Sequence, residues 1–185
     1  HLLTVPKCIS ECGGIRIFGR RIKSLVFSTD VAIIKNVNAD AIIAVYPFTP
    51  QPSITQAIIS VSEVPVFVGV GGGMTNGDRS VRLAEFSEHQ GASGVVVNAP
   101  ISNETIAKMK AVVDIPVVTT IVSGDMDIAG RLAAGADILN VSGASRTPEI
   151  VTKIRAEFPT VPIIATGGPR EEDILRTIEA GANAI

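Results

Sequence analysis

Val161-Pro162-Ile163-Ile164-Ala165-Thr166-Gly167-Gly168-Pro169, then an amphipathic stretch, then Gly181-Ala182-Asn183-Ala184-Ile185: this last quarter of the chain leads into a β-strand in two different ways. The first lead-in is a β-branched residue followed by Pro, which a strand tolerates at its first residue. The second is a small residue, then Ala, then a short polar residue. Gly or Asn there suits the position just past a helix, where φ is positive. Working back along the chain, the same two lead-ins alternate. Val64-Pro65 precedes Val-Phe-Val-Gly-Val, and Ile115-Pro116 precedes Val-Val-Thr-Thr-Ile. Asn38-Ala39-Asp40, Gly91-Ala92-Ser93 and Gly135-Ala136-Asp137 fall between them. The interval is roughly 20 to 30 residues, about the size of one βα unit.

Amphipathic stretches fill the intervals. Ser102 to Val113 starts with a capping hydroxyl and Glu104, then carries Ile106, Met109, Val112 and Val113. Thr147-Pro148-Glu149 reads as the cap of a helix bearing Ile150, Val151, Ile154 and Phe158, and Arg170 to Ala180 repeats the pattern. Pro at the first helical position and Glu in the first turn are start signals. The strands then fall at 23–29, 41–46, 65–71, 94–99, 116–122, 137–142, 162–167 and 182–185. Strand–helix alternation with continuous apolar strands means a parallel sheet, and eight units mean a closed barrel. The expected fold is an α/β (β/α)8 TIM barrel over 21–185, with the helix after strand 8 missing from the sequence and the outer wall open there. An open doubly wound sheet would not need the recurring paired lead-ins. Residues 1–20 stand outside the repeat and should plug or flank the N-terminal face. His1 in place of Met suggests a tag remnant or missing upstream residues.

Apolar residues make up 46% of the chain and aromatics 4%, with no Trp and one Tyr. The core is therefore Val, Ile, Ala and Leu, the material of buried parallel sheets. A net charge of −2 argues against a broad basic face for nucleic acid and leaves room only for a local patch. No apolar run reaches the ~18 residues of a membrane span, and no secretory signal opens the chain. Two cysteines, Cys8 and Cys12, are no disulfide framework, which makes a reducing, cytoplasmic setting the default.

Barrel chemistry sits at the C-terminal strand ends. There stand Ser28-Thr29-Asp30, Tyr46-Pro47-Phe48-Thr49, Gly71-Gly72-Gly73, Asn98-Ala99-Pro100, Thr119, Thr120 and Ser123, Asn140-Val141-Ser142-Gly143-Ala144, and Thr166-Gly167-Gly168. Side-chain alternation aims Asn140 and Ser142 into the mouth and Leu139 and Val141 at the helices. In strand 1 the same rule puts Leu25 and Phe27 toward helices and Ser28 and Asp30 inward. Lys23 falls on the helix side, near the bottom, and is expected to be a structural, solvated residue; only an inward Lys23 would revive a Schiff-base role.

Ser142-Gly143-Ala144 and Thr166-Gly167-Gly168-Pro169 each close a strand and open a helix. Gly lets backbone N–H groups approach an anion, and the helix dipole adds to the attraction. These residues are the candidate phosphate site, although tight βα turns would need the same glycines.

The segment 162–169, the helix after it and Glu-Ala-Gly-Ala-Asn-Ala-Ile (179–185) resemble the C-terminal quarter of phosphate-binding barrels. Those include the thiamin-phosphate and sugar-phosphate epimerase groups, tryptophan-pathway barrels and several FMN-dependent oxidoreductases. Residues 19–30, Val-Tyr-Pro-Phe-Thr-Pro-Gln-Pro (45–52), Val-Val-Asn-Ala-Pro (96–100) and Asn-Val-Ser-Gly-Ala (140–144) resemble an uncharacterised group of bacterial barrel proteins loosely labelled hydrolases. That resemblance implies the barrel and a small-molecule site, and it names no substrate.

Several chemistries lack their residues. There is no Asp-x-Lys-x-x-Asp motif, and strands 2 to 8 contain no Lys for an aldolase-type Schiff base. His89 lies on a helix and His1 at the terminus, so no metal site is expected. Asp30 is the one acid/base group at a strand end, and it also suits a helix cap. The expectation is an isomerase or epimerase, lyase or hydrolase of a small phosphorylated metabolite. Asp30 would be catalytic, Ser142, Gly143, Ala144, Thr166, Gly167 and Gly168 would hold phosphate, and Ser28, Tyr46, Asn98 and Asn140 would hold the rest. A non-catalytic sensor of a phosphorylated ligand suits a mouth so poor in ionisable groups. An FMN oxidoreductase would want an inward cation that the strands do not supply. No cofactor, nucleic-acid or membrane partner is expected, and self-association through the open wall is possible.

Overall fold

The computed structural model describes residues 2–185; His1 lies outside them. An antiparallel hairpin of β1 (Ile15–Ile17) and β2 (Arg20–Ile22) comes first. Seven parallel strands follow in chain order around one sheet: β3 (Leu25–Phe27), β4 (Ala41–Ala44), β5 (Val66–Gly71), β6 (Gly94–Val97), β7 (Val117–Ile121), β8 (Ile138–Val141) and β9 (Ile163–Ala165). Between them run α1 (Val31–Asn36), α2 (Pro52–Val61), α3 (Gly77–Gln90), α4 (Asn103–Val112), α5 (Ile128–Ala134) and α6 (Thr147–Glu157), and α7 (Glu171–Ala180) follows β9. The eighth stave is shorter than the sequence suggests. Residues 183–185 form only an isolated bridge, Ala184 to Ile164. They nonetheless hydrogen-bond on both sides: Ala165 N donates to Ala184 O (3.0 Å), Leu25 N to Ile185 O (2.8 Å) and Ile185 N to Lys23 O (3.0 Å). The barrel is closed.

The alternating lead-ins have a shared mechanical reason. Each Pro carbonyl of the first type accepts from the strand before it: Ile42 N to Pro65 O, Val95 N to Pro116 O, Leu139 N to Pro162 O. The polar residue of the second type latches onto the first amide of the preceding strand. Asp40 Oδ2 accepts from Lys23 N and Ser24 N, Asp137 Oδ2 from Val117 N, and Asn183 Oδ1 from Ile163 N. Without these acceptors the amides at the strand starts would lack partners. Gly91, Gly135 and Gly181 have the expected positive φ (101°, 120° and 124°). Asn38 does not share it: Val37 ends α1 in extended backbone, and the Asn38 carboxamide instead accepts from Val5 N at 2.8 Å. A further tie is Arg155 on α6. Its guanidinium donates to the carbonyls of Phe158, Pro159, Val161 and Gly181 and to Asn183 Oδ1.

Inside the barrel, Ala41, Ile43, Phe67, Val96, Val118, Ile138, Ile164 and Ala184 pack together, and Ile15, Ile17 and Ile22 of the hairpin close the cluster from the N-terminal face. The outer layer joins Ile42, Val68, Val95, Val97 and Val117, or Leu139, Val141 and Ile163, to the helices. Leu25 packs in the inner cluster and Val26 against the outer one, so the expected orientation of strand 1 is reversed, and Ser28 and Asp30 fall on the helix-facing parity rather than inward. The rule that the greasier face meets the helices fails because the barrel interior is itself apolar up to its rim. Lys23 consequently lies on the inner parity, yet its ammonium donates to Ser10 O at 2.8 Å on the side of the N-terminal segment, away from the mouth.

The wall beside α7 is not open. Leu3 pairs with Val37 beside α1, and the 3-10 turn Lys7–Glu11 packs Cys8, Ile9 and Cys12 against Ile174, Leu175, Ile178 and Ile185. The N-terminal segment thus fills the gap between α7 and α1. Both cysteines are free and buried, and burial pushes the Cys12 thiol up to about 11, which keeps it an inert apolar filler. Among the described residues, no helix is long and apolar enough to cross a membrane.

Candidate functional site

Going up the inner face, apolar residues give way to polar ones one step before the mouth. Val118 is followed on that face by Thr120, Ile138 by Asn140, and Ile164 by Thr166, as the period-2 alternation of a strand requires. Asn140 is 2% exposed. Its Nδ2 stands 3.5 Å from Thr120 Oγ1, and its Oδ1 has no protein partner. Thr119, expected at the mouth, is turned outward among the helix-facing residues of β7 and is fully buried. A buried carbonyl without a donor costs about 1–3 kcal/mol. Asn140→Leu is therefore expected to leave the thermal midpoint unchanged or to raise it. A fall equivalent to more than about 1 kcal/mol would show that Asn140 is held by its surroundings.

Four of the six expected phosphate residues, Ala144, Thr166, Gly167 and Gly168, line one cleft, and Ser142 and Gly143 do not line it. The loops after β8 and β9 border a cleft of about 600 Å³ lined by Ala144, Ser145, Thr166, Gly167, Gly168 and Arg176 among others. Thr166 Oγ1 donates to Ser142 Oγ at 3.4 Å beside it. Gly143 has φ −110° and ψ 23°, and Ala144 has φ 53°. Such a right-handed then left-handed pair turns successive amides toward one point, a shape that suits anions. Ala144 is the more informative of the two, because a non-glycine residue resists that conformation. One amide is already committed: Gly143 N donates to Thr147 Oγ1 at 2.9 Å. Thr147 therefore does not cap α6 as its sequence position suggests. It lies inside the helix and braces the loop instead. The amides of Ala144, Ser145, Gly167 and Gly168 donate to no protein acceptor among the described residues.

Some of these glycines are also required by packing. A side chain at Gly167 would meet Ile174 Cγ1 at 2.8 Å and Ile185 Cγ2 at 2.7 Å, and one at Gly143 would overlap Ile150. Charge around the cleft is mixed. The first turn of α7 carries Glu171, Glu172 and Asp173. Arg170 offsets two of them, at 2.9 Å from Glu172 and 3.1 Å from Asp173, and its guanidinium holds the Asp173 carboxyl below the usual range. Arg176, on the next turn, makes no ion pair within 4 Å among the described residues.

Across the mouth, the loops after β4, β5 and β6 border a second cavity of about 330 Å³. Tyr46 and Asn98 line it, with Phe48, Thr49, Met74 and Thr75, which the sequence reading did not single out as ligands. The Tyr46 hydroxyl accepts from Gln51 N at 2.8 Å and so supports the start of α2. Thr75 Oγ1 and Thr49 Oγ1 join the two lips at 3.0 Å. Gly71 and Gly72 form a tight turn, both with positive φ, closed by Gly72 N donating to Thr75 O at 2.7 Å. A side chain at Gly72 would fall 2.7 Å from Asn98 N. Large apolar residues in βα loops, Phe48 and Met74, were the signal available for this cavity.

At the end of β3, Asp30 caps α1: its Oδ1 accepts from Ala32 N (2.8 Å) and Ile33 N (3.3 Å), leaving Oδ2 free. The Ser28 hydroxyl accepts from Asp30 N at 3.1 Å and fixes that loop. Loop 99–103, after β6, is held by Arg131, which donates to Ala99 O, Ile101 O and Asn103 Oδ1. No group of metal-ligating side chains occurs among the described residues.

No family model matches the chain, and no curated protein matches its sequence. Solved structures do resemble it. A protein named as a phosphonomutase, from Burkholderia cenocepacia J2315, superimposes with a TM-score of 0.70 at 16% identity, over 88% of this chain and 84% of that one. A phosphonopyruvate hydrolase in complex with oxalate and Mg++ gives 0.66 at 15% identity, over 89% and 74%. Mandelate oxidase gives 0.69 at 17% identity, over 94% and 67%. At these identities the likeness is one of fold: the chain is an α/β TIM barrel.

Proposed function

We propose that this barrel acts on a small phosphomonoester whose phosphate sits between the loops after β8 and β9. Ala144 carries the proposal. A non-glycine residue in the left-handed region costs about 1 kcal/mol or more, and here it stands in a loop whose free amides share a cleft with Gly167 and Gly168. Backbone donors, the Ser142 and Thr166 hydroxyls and the unpaired Arg176 supply hydrogen bonds and charge suited to a phosphate. Asp30 ends the strand two places around the barrel from β9, and its free Oδ2 is the acid/base. Ser28 fixes the Asp30 loop, while Tyr46, Asn98 and Asn140 offer polar contacts to the rest of the ligand. Asp30 is the acid/base group at a strand end, which suits a proton transfer, as in an isomerase or epimerase, or a lyase or hydrolase step assisted by a single group.

Calorimetric titration with glycerol 3-phosphate tests this. Ala144→Pro forces φ negative and removes an amide, so affinity should fall about tenfold or more, the worth of a hydrogen bond to a charged group. Ala144→Gly keeps the loop shape, should keep affinity and should raise stability modestly. Equal affinity in wild type and Ala144→Pro, with both folded by circular dichroism, would remove the phosphate from this loop.

A further inference from the structure

Asn140 is a buried polar group that the fold does not need. Its Oδ1 is sealed from solvent without a donor, and its Nδ2 meets Thr120 Oγ1 at 3.5 Å, the long limit of a hydrogen bond. An apolar side chain would fill the same space without the cost of an unpaired carbonyl. The position of Asn140 relative to the phosphate cleft gives that cost a purpose. Ser142 is the next residue on the inner face of β8, about 6–7 Å nearer the mouth. Ser142 and Thr166 are both exposed there. Thr166 lines the cleft after β8 and β9 and donates to Ser142 Oγ at 3.4 Å. A continuous file of neutral polar side chains thus runs from the cleft, through Thr166 and Ser142, to Asn140 one layer beneath. The Thr166–Ser142 contact is itself long, so a ligand group that takes its place gives up little.

A carbonyl oxygen calls for a donor, and its surroundings decide which kind. The inner-face residues around Asn140 are Val118, Thr120, Ile138 and Ile164. An ammonium group would be buried among them with no acid to pair it, at high cost. A hydroxyl brings the donor without the charge. Resting on the phosphate reading above, we infer that the substrate is a hydroxyalkyl phosphate: its phosphate lies in the cleft, and a hydroxyl a few bonds along the chain donates to Asn140 Oδ1. Asn140 is then a specificity-determining residue. A site built to pair with a substrate hydroxyl rejects the analogue that lacks it, because its own buried group is left unpaired.

Glycerol 3-phosphate and n-propyl phosphate share a carbon chain and a phosphate and differ in their hydroxyls. Both are titrated calorimetrically against wild type, Asn140→Leu and Asn140→Ala, with folding checked by circular dichroism. Wild type should bind glycerol 3-phosphate about tenfold tighter or more, since propyl phosphate leaves the carbonyl without a donor. Asn140→Leu should bring the two affinities together. Asn140→Ala, which opens space instead of filling it, should do the same, so the result does not hinge on how leucine packs. Equal affinity of wild type for the two esters overturns the inference and spares the phosphate reading. A preference for glycerol 3-phosphate that survives in the folded variants also overturns it, because another group then reads the hydroxyl. If neither ester binds wild type, the phosphate reading fails and the inference falls with it.

Discussion

Arg155→Leu should lose about 3 kcal/mol or more of unfolding free energy, since hydrogen bonds to a charged group are worth about 1.5–3 kcal/mol each and several are lost together. Four backbone carbonyls and Asn183 Oδ1 share this one guanidinium. No carboxylate pairs with it among the described residues, and burial lowers its pKa. The energy lies in geometry: a planar fork reaches acceptors on the loop after α6 and on the lead-in to the last stave at once. Lysine has the charge but not the fork, so Arg155→Lys should recover only a small part of the loss. Urea unfolding of the three proteins measures it. A lysine variant as stable as wild type would mean that charge alone matters and that the acceptors are served by water.

Phe67 should give the largest loss in the barrel interior. It is fully buried and stands at the centre of the inner cluster, so Phe67→Ala should cost about 3–5 kcal/mol. Its ring occupies the place of a side chain at position 94: a Cβ on Gly94 would come within 2.7 Å of Phe67 Cε1. Gly94→Val in the native background should therefore destabilise by overpacking, by about 1–3 kcal/mol. Combined with Phe67→Ala, the same valine enters vacated space. The double variant should be more stable than the sum of the singles by about 0.5–3 kcal/mol. Strict additivity in thermal or urea unfolding would show that the two positions do not compete for one volume.

The parts of this fold legible in the sequence were those that repeat. Val64-Pro65, Ile115-Pro116 and Val161-Pro162 recur because each Pro carbonyl serves a neighbouring strand, and Asp40, Asp137 and Asn183 recur because each satisfies the amide at a strand start. What could not be read depended on context that does not repeat. The orientation of Leu25 and Phe27 was misread because a plugged barrel is apolar on both sides of its wall. The N-terminal segment gave no sign of covering the seam between α7 and α1, since Cys8, Ile9 and Cys12 meet α7 only after the whole sheet has closed. Arg155 was invisible because carbonyls have no sequence signature. At the mouth, Ser142, Gly143, Ala144, Thr166, Gly167 and Gly168 were legible as a group through their glycines. Arg176 and Ser145 were not, because they stand on a helix turn and in a loop that meet only in the folded barrel.

The three residues at the end of the chain carry a duty out of proportion to their number. Without Asn183–Ile185, β3 and β9 would each present unpaired amides and carbonyls along a parallel sheet, the kind of exposed rim onto which another chain can add. The bridged stave Asn183–Ile185 separates a sealed cylinder from a sheet with two adhesive margins. Loosening the Arg155–Asn183 tie therefore does more than lower stability. It opens a route to polymerisation by strand addition, with the barrel's own first and seventh staves as the templates.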